Sequence, residues 1–240
     1  MRCDPGMSAF LELYTGLFRE GPGDASDVAW AAEMLGLAPD TAICDAGCGT
    51  GGDIDALLNA APHGTVTAID REGAFIRALR QDWAADDRVW AEIGDMATLS
   101  GEYDLIWSAG AVYFLGVTEA LTGWRDALKA GGAVAFSVPC FFTDTPSDAA
   151  RAFWEGYPTT DVAGIAAQVK EAGYTTIATQ KIADAGWKMY YSGLAARAAQ
   201  LRPGADAEMA RVLDKAEAEI AAWRACRNET GYLLSVVRPA

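Results

Sequence analysis

The sequence predicts an α/β fold, a mostly parallel sheet doubly wound with helices on both faces. Three observations carry that prediction. Short apolar runs of strand length alternate with segments of helical periodicity. The first run, Thr41–Asp45, breaks into a glycine-rich turn, Ala46-Gly47-Cys48-Gly49-Thr50-Gly51-Gly52, which enters a helix near Asp53. Three successive strands end in carboxylates, Asp45, Asp70 and Asp95. With 240 residues, 51% of them hydrophobic and 22% charged, the chain is long enough to bury a large core.

The elements follow in order. Phe10, Leu11, Leu13, Tyr14, Leu17 and Phe18 repeat at helical spacing and predict a helix over 7–20, stopped by Gly21-Pro22-Gly23. A second helix runs over 26–35, capped by Asp24 or Ser26 and closed by Gly36. After the glycine turn come a helix over 53–61, a strand over 65–70, a helix over 75–83 and a strand over 88–93. A strand at 103–108, a helix at 117–129 ended by Gly131-Gly132, and a strand at 133–139 complete the central part. Helices over 147–157 and 161–173, a strand over 174–182, a helical stretch over 186–229 and a last strand over 231–237 finish the chain. The helical stretch is longer than an ordinary connection and reads as a lid, or equally as a packing or dimerisation element.

Composition narrows the partners. A net charge of −14 argues against nucleic acid and anionic lipid, and suits a neutral or cationic small molecule. The five cysteines are scattered with no C-x-x-C pair, so they read as small buried side chains rather than a zinc or redox site. No apolar run approaches membrane-spanning length, and Met1-Arg2-Cys3-Asp4-Pro5 does not open a signal peptide, so the expectation is a cytoplasmic protein.

The glycine turn brings backbone amides close to a ligand at a helix start. Gly47, Gly49 and Gly52 satisfy G-x-G-x-x-G, so an NAD(P)-dependent oxidoreductase is one reading. Asp45 argues the other way, because a carboxylate at that strand end repels a pyrophosphate and attracts an ammonium or a sulfonium. S-adenosylmethionine carries both charges and no phosphate. Asp70 stands where a carboxylate accepts hydrogen bonds from ribose hydroxyls. Asp95 either accepts from the adenine amino group or caps the next turn.

Asp45-Ala46-Gly47-Cys48-Gly49-Thr50-Gly51 resembles the first motif of class I S-adenosylmethionine-dependent methyltransferases. Asp70, Gly94-Asp95 and the strand Asp104–Ser108 match the later motifs in order. Gly21-Pro22-Gly23, Trp107-Ser108-Ala109-Gly110-Ala111-Val112-Tyr113 and Trp124-Arg125 resemble, more narrowly, a bacterial group of small-molecule methyltransferases. The resemblance implies a Rossmann-like seven-stranded sheet with an antiparallel last strand, and a single domain over 1–240. Within it, 1–40 are N-terminal helices, 41–140 the cofactor-binding core and 186–229 the insertion or lid. It implies S-adenosylmethionine as donor and S-adenosylhomocysteine as product. The donor would be held by Asp45, Ala46, Gly47, Gly49, Thr50, Gly51, Asp70, Arg71, Gly94, Asp95, Met96 and Ser108. One position departs from the close relatives, which carry an acidic residue where this chain has Ala109.

Methyl transfer asks the protein mainly for positioning, so the lack of an obvious base does not exclude it. The one histidine, His63, falls in a turn on the amino side of a strand, away from the expected site. Ser108-Ala109-Gly110-Ala111 offers no metal ligands, and no metal is expected. Tyr113 is the candidate catalytic residue. The substrate pocket is expected from Tyr14, Gly110, Tyr113 and one of Trp187, Tyr190 and Tyr191, whose rings suit an apolar or a cationic acceptor. Arg19 either reaches an acidic group of donor or substrate or stands as a solvated helix-end arginine. Three functions remain in view: a methyltransferase acting on a small molecule, the oxidoreductase, and a binding module that holds S-adenosylmethionine without transfer. The insertion and the N-terminal helix are candidate interfaces for a homodimer.

Overall fold

The computed structural model describes residues 5–240, with side chains from Ser8 onward; Cys3 lies outside the described residues. The chain opens with α1 (Pro5–Tyr14) and α2 (Ala25–Leu35). Asp24 caps α2 by accepting from Ser26 N, while Asp27 takes the Asp24 N–H in return, and Gly36 closes the helix in the left-handed region at φ 60°. The first helix stops six residues short of expectation. Gly16 turns the chain at φ 88°, and residues 15–23 leave the helix as a strap.

Next come β1 (Ala42–Ala46), α3 (Ile54–Ala60), β2 (Thr65–Asp70), α4 (Gly73–Asp82), β3 (Val89–Ile93) and β4 (Tyr103–Ala109). Then follow α5 (Val117–Trp124), β5 (Leu128–Phe141), α6 (Asp148–Phe153), the two-residue β6 (Thr160–Asp161) and α7 (Val162–Glu171). The chain ends with β7 (Tyr174–Lys181), α8 (Asp184–Leu201), α9 (Ala207–Cys226) and β8 (Thr230–Pro239). The expected helix over 117–129 ends early, at Trp124 and a short 3-10 turn. Gly131 and Gly132 lie inside β5 instead of capping a helix. They sit beside the irregular register between Tyr103 and Leu105, where a side chain on Gly132 would crowd the carbonyl of Tyr103 at 3.1 Å.

The sheet order is β3-β2-β1-β4-β5-β8-β7, with β6 pairing the end of β5. Every pairing is parallel except those of β8, which runs antiparallel to both β5 and β7. The seven-stranded mixed sheet therefore matches the expected Rossmann-like class. The strand order reverses between β1 and β4, which opens a crevice beyond their carboxyl ends.

Side chains alternate across this sheet. Ile43, Leu105 and Trp107 face a core shared with Leu13, Val28, Leu57, Leu194 and Leu213 from α1, α2, α3, α8 and α9. Cys44, Ile106 and Val134 face the other core, with Leu121 and Trp124 of α5 and Val169 of α7. The insertion, α8 and α9, thus packs with the N-terminal helices on the face that carries Trp107. No helix among the described residues is long and apolar enough to cross a membrane.

Candidate functional site

The glycine turn leaves β1 at the reversal point. Gly47 N and Cys48 N both donate to the carbonyl of Ile69, at 2.8 and 3.1 Å, which ties the turn to the end of β2. Gly47, Gly49 and Gly51 all take left-handed φ values, 75°, 52° and 79°. The Asp70 carboxylate braces the turn from the side: Oδ2 accepts from Gly49 N at 2.9 Å and Oδ1 from Glu72 N at 2.8 Å. Each oxygen keeps a lone pair for a further donor.

Asp45 is buried. Its neighbours are Asp53, Asp70 and Arg19, and no hydrogen-bond donor among the described residues holds its carboxyl. Burial pushes its pKa well above the usual carboxylate range, so the carboxyl holds its proton more tightly; Asp53 and Asp70 push the same way, and Arg19 opposes them. The register sets Asp45 beside Trp107. The Trp107 indole N–H donates to Asp53 Oδ2 at 3.0 Å, and Arg19 Nη2 donates to Asp53 Oδ1 at 2.8 Å. The floor of the crevice is net acidic.

The strap of residues 15–23 crosses this floor. Thr50 Oγ1 donates to the Phe18 carbonyl at 3.1 Å. Gly52 is essential to that approach, since a Cβ there would stand 2.8 Å from the same carbonyl. Glu20 sets its carboxylate against the face of Gly49, among Asp70 and Glu72. Burial first, then those two carboxylates, push Glu20 up to about 8.

Other residues expected to hold the donor are placed as follows. Ala46 is buried, and its carbonyl accepts from the Ser108 hydroxyl at 2.7 Å, so Ser108 ties β1 to β4. Gly94 N donates to the Asp70 carbonyl at 3.0 Å. Asp95 Oδ1 caps the next turn by accepting from Ala97 N at 2.9 Å. The Met96 carbonyl accepts from the Trp124 indole at 2.6 Å, and Met96 Sδ packs close to Gly47. Arg71 is exposed, its guanidinium 5.9 Å from the Phe114 ring centre. Arg19 is no solvated helix end: its side chain is 10% exposed and ion-paired.

A second cluster lies on the other side of the turn after β4. Ala111 packs against Gly47 on one side of that turn, and the Tyr232 ring packs against Gly110 on the other. Tyr232 is stacked on Trp154, edge-on to Trp187, and 6.4 Å from Tyr113 between ring centres. The Tyr14 and Tyr190 hydroxyls are 3.4 Å apart, and the Tyr191 hydroxyl donates to Glu219 at 3.0 Å. Tyr14, Gly110, Tyr113, Trp187, Tyr190 and Tyr191 are thus gathered in one region of the fold. His63 is exposed at the opposite, amino end of β2, where its N–H donates to the Pro39 carbonyl.

Sequence reasoning missed Glu20, Asp53, Glu219 and Tyr232 as site residues. Glu219 had a signal: it shares a stripe of α9 with the buried Ala216, Ile220 and Trp223. Glu20 and Asp53 had none, because nothing local marks a strap that folds back across the turn.

The topology and the acidic glycine crevice define a class, the class I S-adenosylmethionine-dependent methyltransferases, and the chain has their fold. Residues 43–132 match the family model described as a methyltransferase domain. It is 32% identical over 114 residues to a trans-aconitate 2-methyltransferase of Paracidovorax citrulli, an overlap of 45% of this chain and 44% of that one. It is 32% identical over 96 residues to a malonyl-[acyl-carrier protein] O-methyltransferase of Enterobacter lignolyticus, covering 40% of this chain and 38% of that one. The chain spans less than half the length of these curated relatives. Its fold extends over 97% of the chain and 98% of a Geobacter sulfurreducens S-adenosylmethionine-dependent methyltransferase solved with S-adenosyl-L-homocysteine, at a TM-score of 0.82 and 19% identity.

Proposed function

We propose that the protein is a methyltransferase that takes its methyl group from S-adenosylmethionine and passes it to a small molecule. The observation that carries this is Asp45, a buried carboxylate at the carboxyl end of β1 that no protein donor satisfies among the described residues. A retained, unpaired buried carboxylate is costly unless a ligand supplies the counter-charge. The donor's ammonium group fits there, with Asp70 accepting from the ribose and the segment at Asp95–Met96 beside the adenine. A dinucleotide's pyrophosphate would meet the carboxyl groups of Asp45 and Asp70 instead, which disfavours the oxidoreductase reading.

The donor supplies an activated methyl on sulfonium. This chain orients the partners and excludes water. Ala111 and Gly110 form the partition between the glycine turn and the tyrosine cluster, so the acceptor atom would reach the donor across that turn. Burial pushes the Tyr113 hydroxyl up, so at neutral pH it is a phenol that donates a hydrogen bond and positions the acceptor. The curated relatives are named for aconitate and malonyl groups. Glu219 forms no ion pair with an Arg or Lys among the described residues, and a carboxylate there would repel such acids, so those acceptors are not carried over.

Calorimetry with S-adenosylhomocysteine tests the reading. Saturable binding below millimolar ligand, weakened at least tenfold in Asp45→Asn, is expected. A folded wild-type protein that shows no such binding would falsify it, and donor binding without transfer to any acceptor would identify a binding module.

A further inference from the structure

The α9 helix buries Leu213, Ala216, Ile220 and Trp223 along one stripe, and Glu219 lies on the same face. Its Oε1 accepts from the Tyr191 hydroxyl at 3.0 Å. Burial raises its carboxyl above the ordinary value, opposed by the Tyr191 hydrogen bond and then by Lys215, one turn earlier and exposed. A carboxylate in this position, half-buried and without an ion pair among the described residues, is a charge awaiting a partner.

Aromatic rings define what that partner is. Tyr14 of α1, Tyr190 and Tyr191 of α8, Tyr113 after β4 and Tyr232 of β8 all feel the field of Glu219. The rings of Tyr190 and Tyr191 are 4.9 Å apart, and the Tyr14 hydroxyl meets that of Tyr190. Five tyrosines arriving from four segments thus gather near the Glu219 carboxyl, with Tyr191 bonded to it directly. Ring faces and hydroxyl oxygens favour a cation, and a carboxylate favours it further. An anion would be repelled, and a neutral apolar group would leave Glu219 uncompensated. Gly110, against which Tyr232 packs, sets this cluster directly across the partition from the glycine turn.

We propose that the acceptor molecule carries an ammonium group, bound at Glu219 among the tyrosines as an anchor and not as the nucleophile; the methyl would pass from the sulfonium to a lone pair on another atom of the same molecule, the S–CH3 bond breaking to leave S-adenosylhomocysteine. The word acceptor rests on the methyltransferase reading; the amine site does not.

The test uses the full chain and two separate titrations. S-adenosylhomocysteine is titrated first, by calorimetry. Matched probes follow, read by intrinsic tryptophan fluorescence, to which Trp187 and Trp223 contribute beside the cluster: 2-phenylethylamine and its trimethylammonium analogue, against the neutral 2-phenylethanol and the anionic phenylacetate. At least one ammonium compound should bind tenfold or more tightly than the alcohol, and phenylacetate more weakly still. Glu219→Gln keeps the hydrogen-bond acceptor and removes the charge; it should erase the preference while leaving S-adenosylhomocysteine affinity unchanged. Equal binding of amine and alcohol to the wild-type protein would overturn the proposal, whether or not the variant folds. So would a preference that survives Glu219→Gln, which would leave the carboxylate a structural partner of Tyr191. Loss of donor-product binding alongside an intact amine preference would sink the methyltransferase reading and leave the amine site standing.

Discussion

Arg19 and Asp53 meet at 2.8 Å, with side chains only 10% and 7% exposed, and join the strap after α1 to the start of α3. Trp107 holds the other oxygen of the same carboxylate. The pair is buried, so removing one partner strands the other. Asp53→Ala should therefore lower unfolding stability by about 3–5 kcal/mol, measured by urea denaturation. A loss under 1 kcal/mol would show that solvent reaches Arg19 and that the strap is not anchored there.

Trp124 links the second core to the donor crevice. It is fully buried in the core behind β4 and β5, and its indole donates to the Met96 carbonyl at 2.6 Å. Trp124→Phe keeps most of the packing and leaves that carbonyl unbonded. The expected cost is about 1–3 kcal/mol, together with a severalfold loss of S-adenosylhomocysteine affinity as the 95–96 segment loosens. Thermal unfolding and calorimetry on the same sample check both; stability loss with untouched affinity would detach Met96 from the donor.

The sheet was legible because its signals are local. Alternating apolar runs fixed the strands, and Asp45, Asp70 and Asp95 announced the crevice at their carboxyl ends. The tyrosines of α1 and α8 stood out in the sequence as pocket candidates, and the fold buries Tyr14, Tyr190 and Tyr191 together in the core shared by those helices. What escaped depends on long-range approach. Leu17 and Phe18 continue the helical spacing of α1, so the periodicity hid the break at Gly16 and the strap beyond it. Gly131-Gly132 imitated a helix stop because a strand irregularity and a helix cap both call for glycine. The role of Asp53 required Arg19, thirty-four positions away, to fold onto it.

Asp70 does two jobs at once, bracing Gly49 and, in the proposed function, meeting the donor's ribose. Asp70→Asn keeps one acceptor oxygen and removes the charge. We expect a 10–100-fold loss of S-adenosylhomocysteine affinity, with adenine alone affected far less. If both ligands weaken equally, the residue acts by bracing the turn and not by contacting ribose.

Glu20 makes the crevice sensitive to pH. In the folded chain its carboxyl is raised from 4.5 to about 8, chiefly by burial and then by Asp70 and Glu72. The fold therefore favours the protonated form. Its stabilising contribution is complete below the unfolded value and is lost as pH rises toward about 8. Across that window the carboxylate becomes charged beside two others and is driven off the face of Gly49, where the donor must lie. S-adenosylhomocysteine affinity should consequently rise between pH 6 and pH 8 in the wild-type protein. Glu20→Gln, neutral throughout, should flatten this contribution to the slope, and Glu20→Ala, with nothing left over Gly49, should bind more tightly at pH 6. Asp45 is also raised and would steepen any profile the two proteins share, so the difference between them is the quantity that reports Glu20. Identical pH profiles for wild type and Glu20→Gln would show that the strap does not compete with the donor.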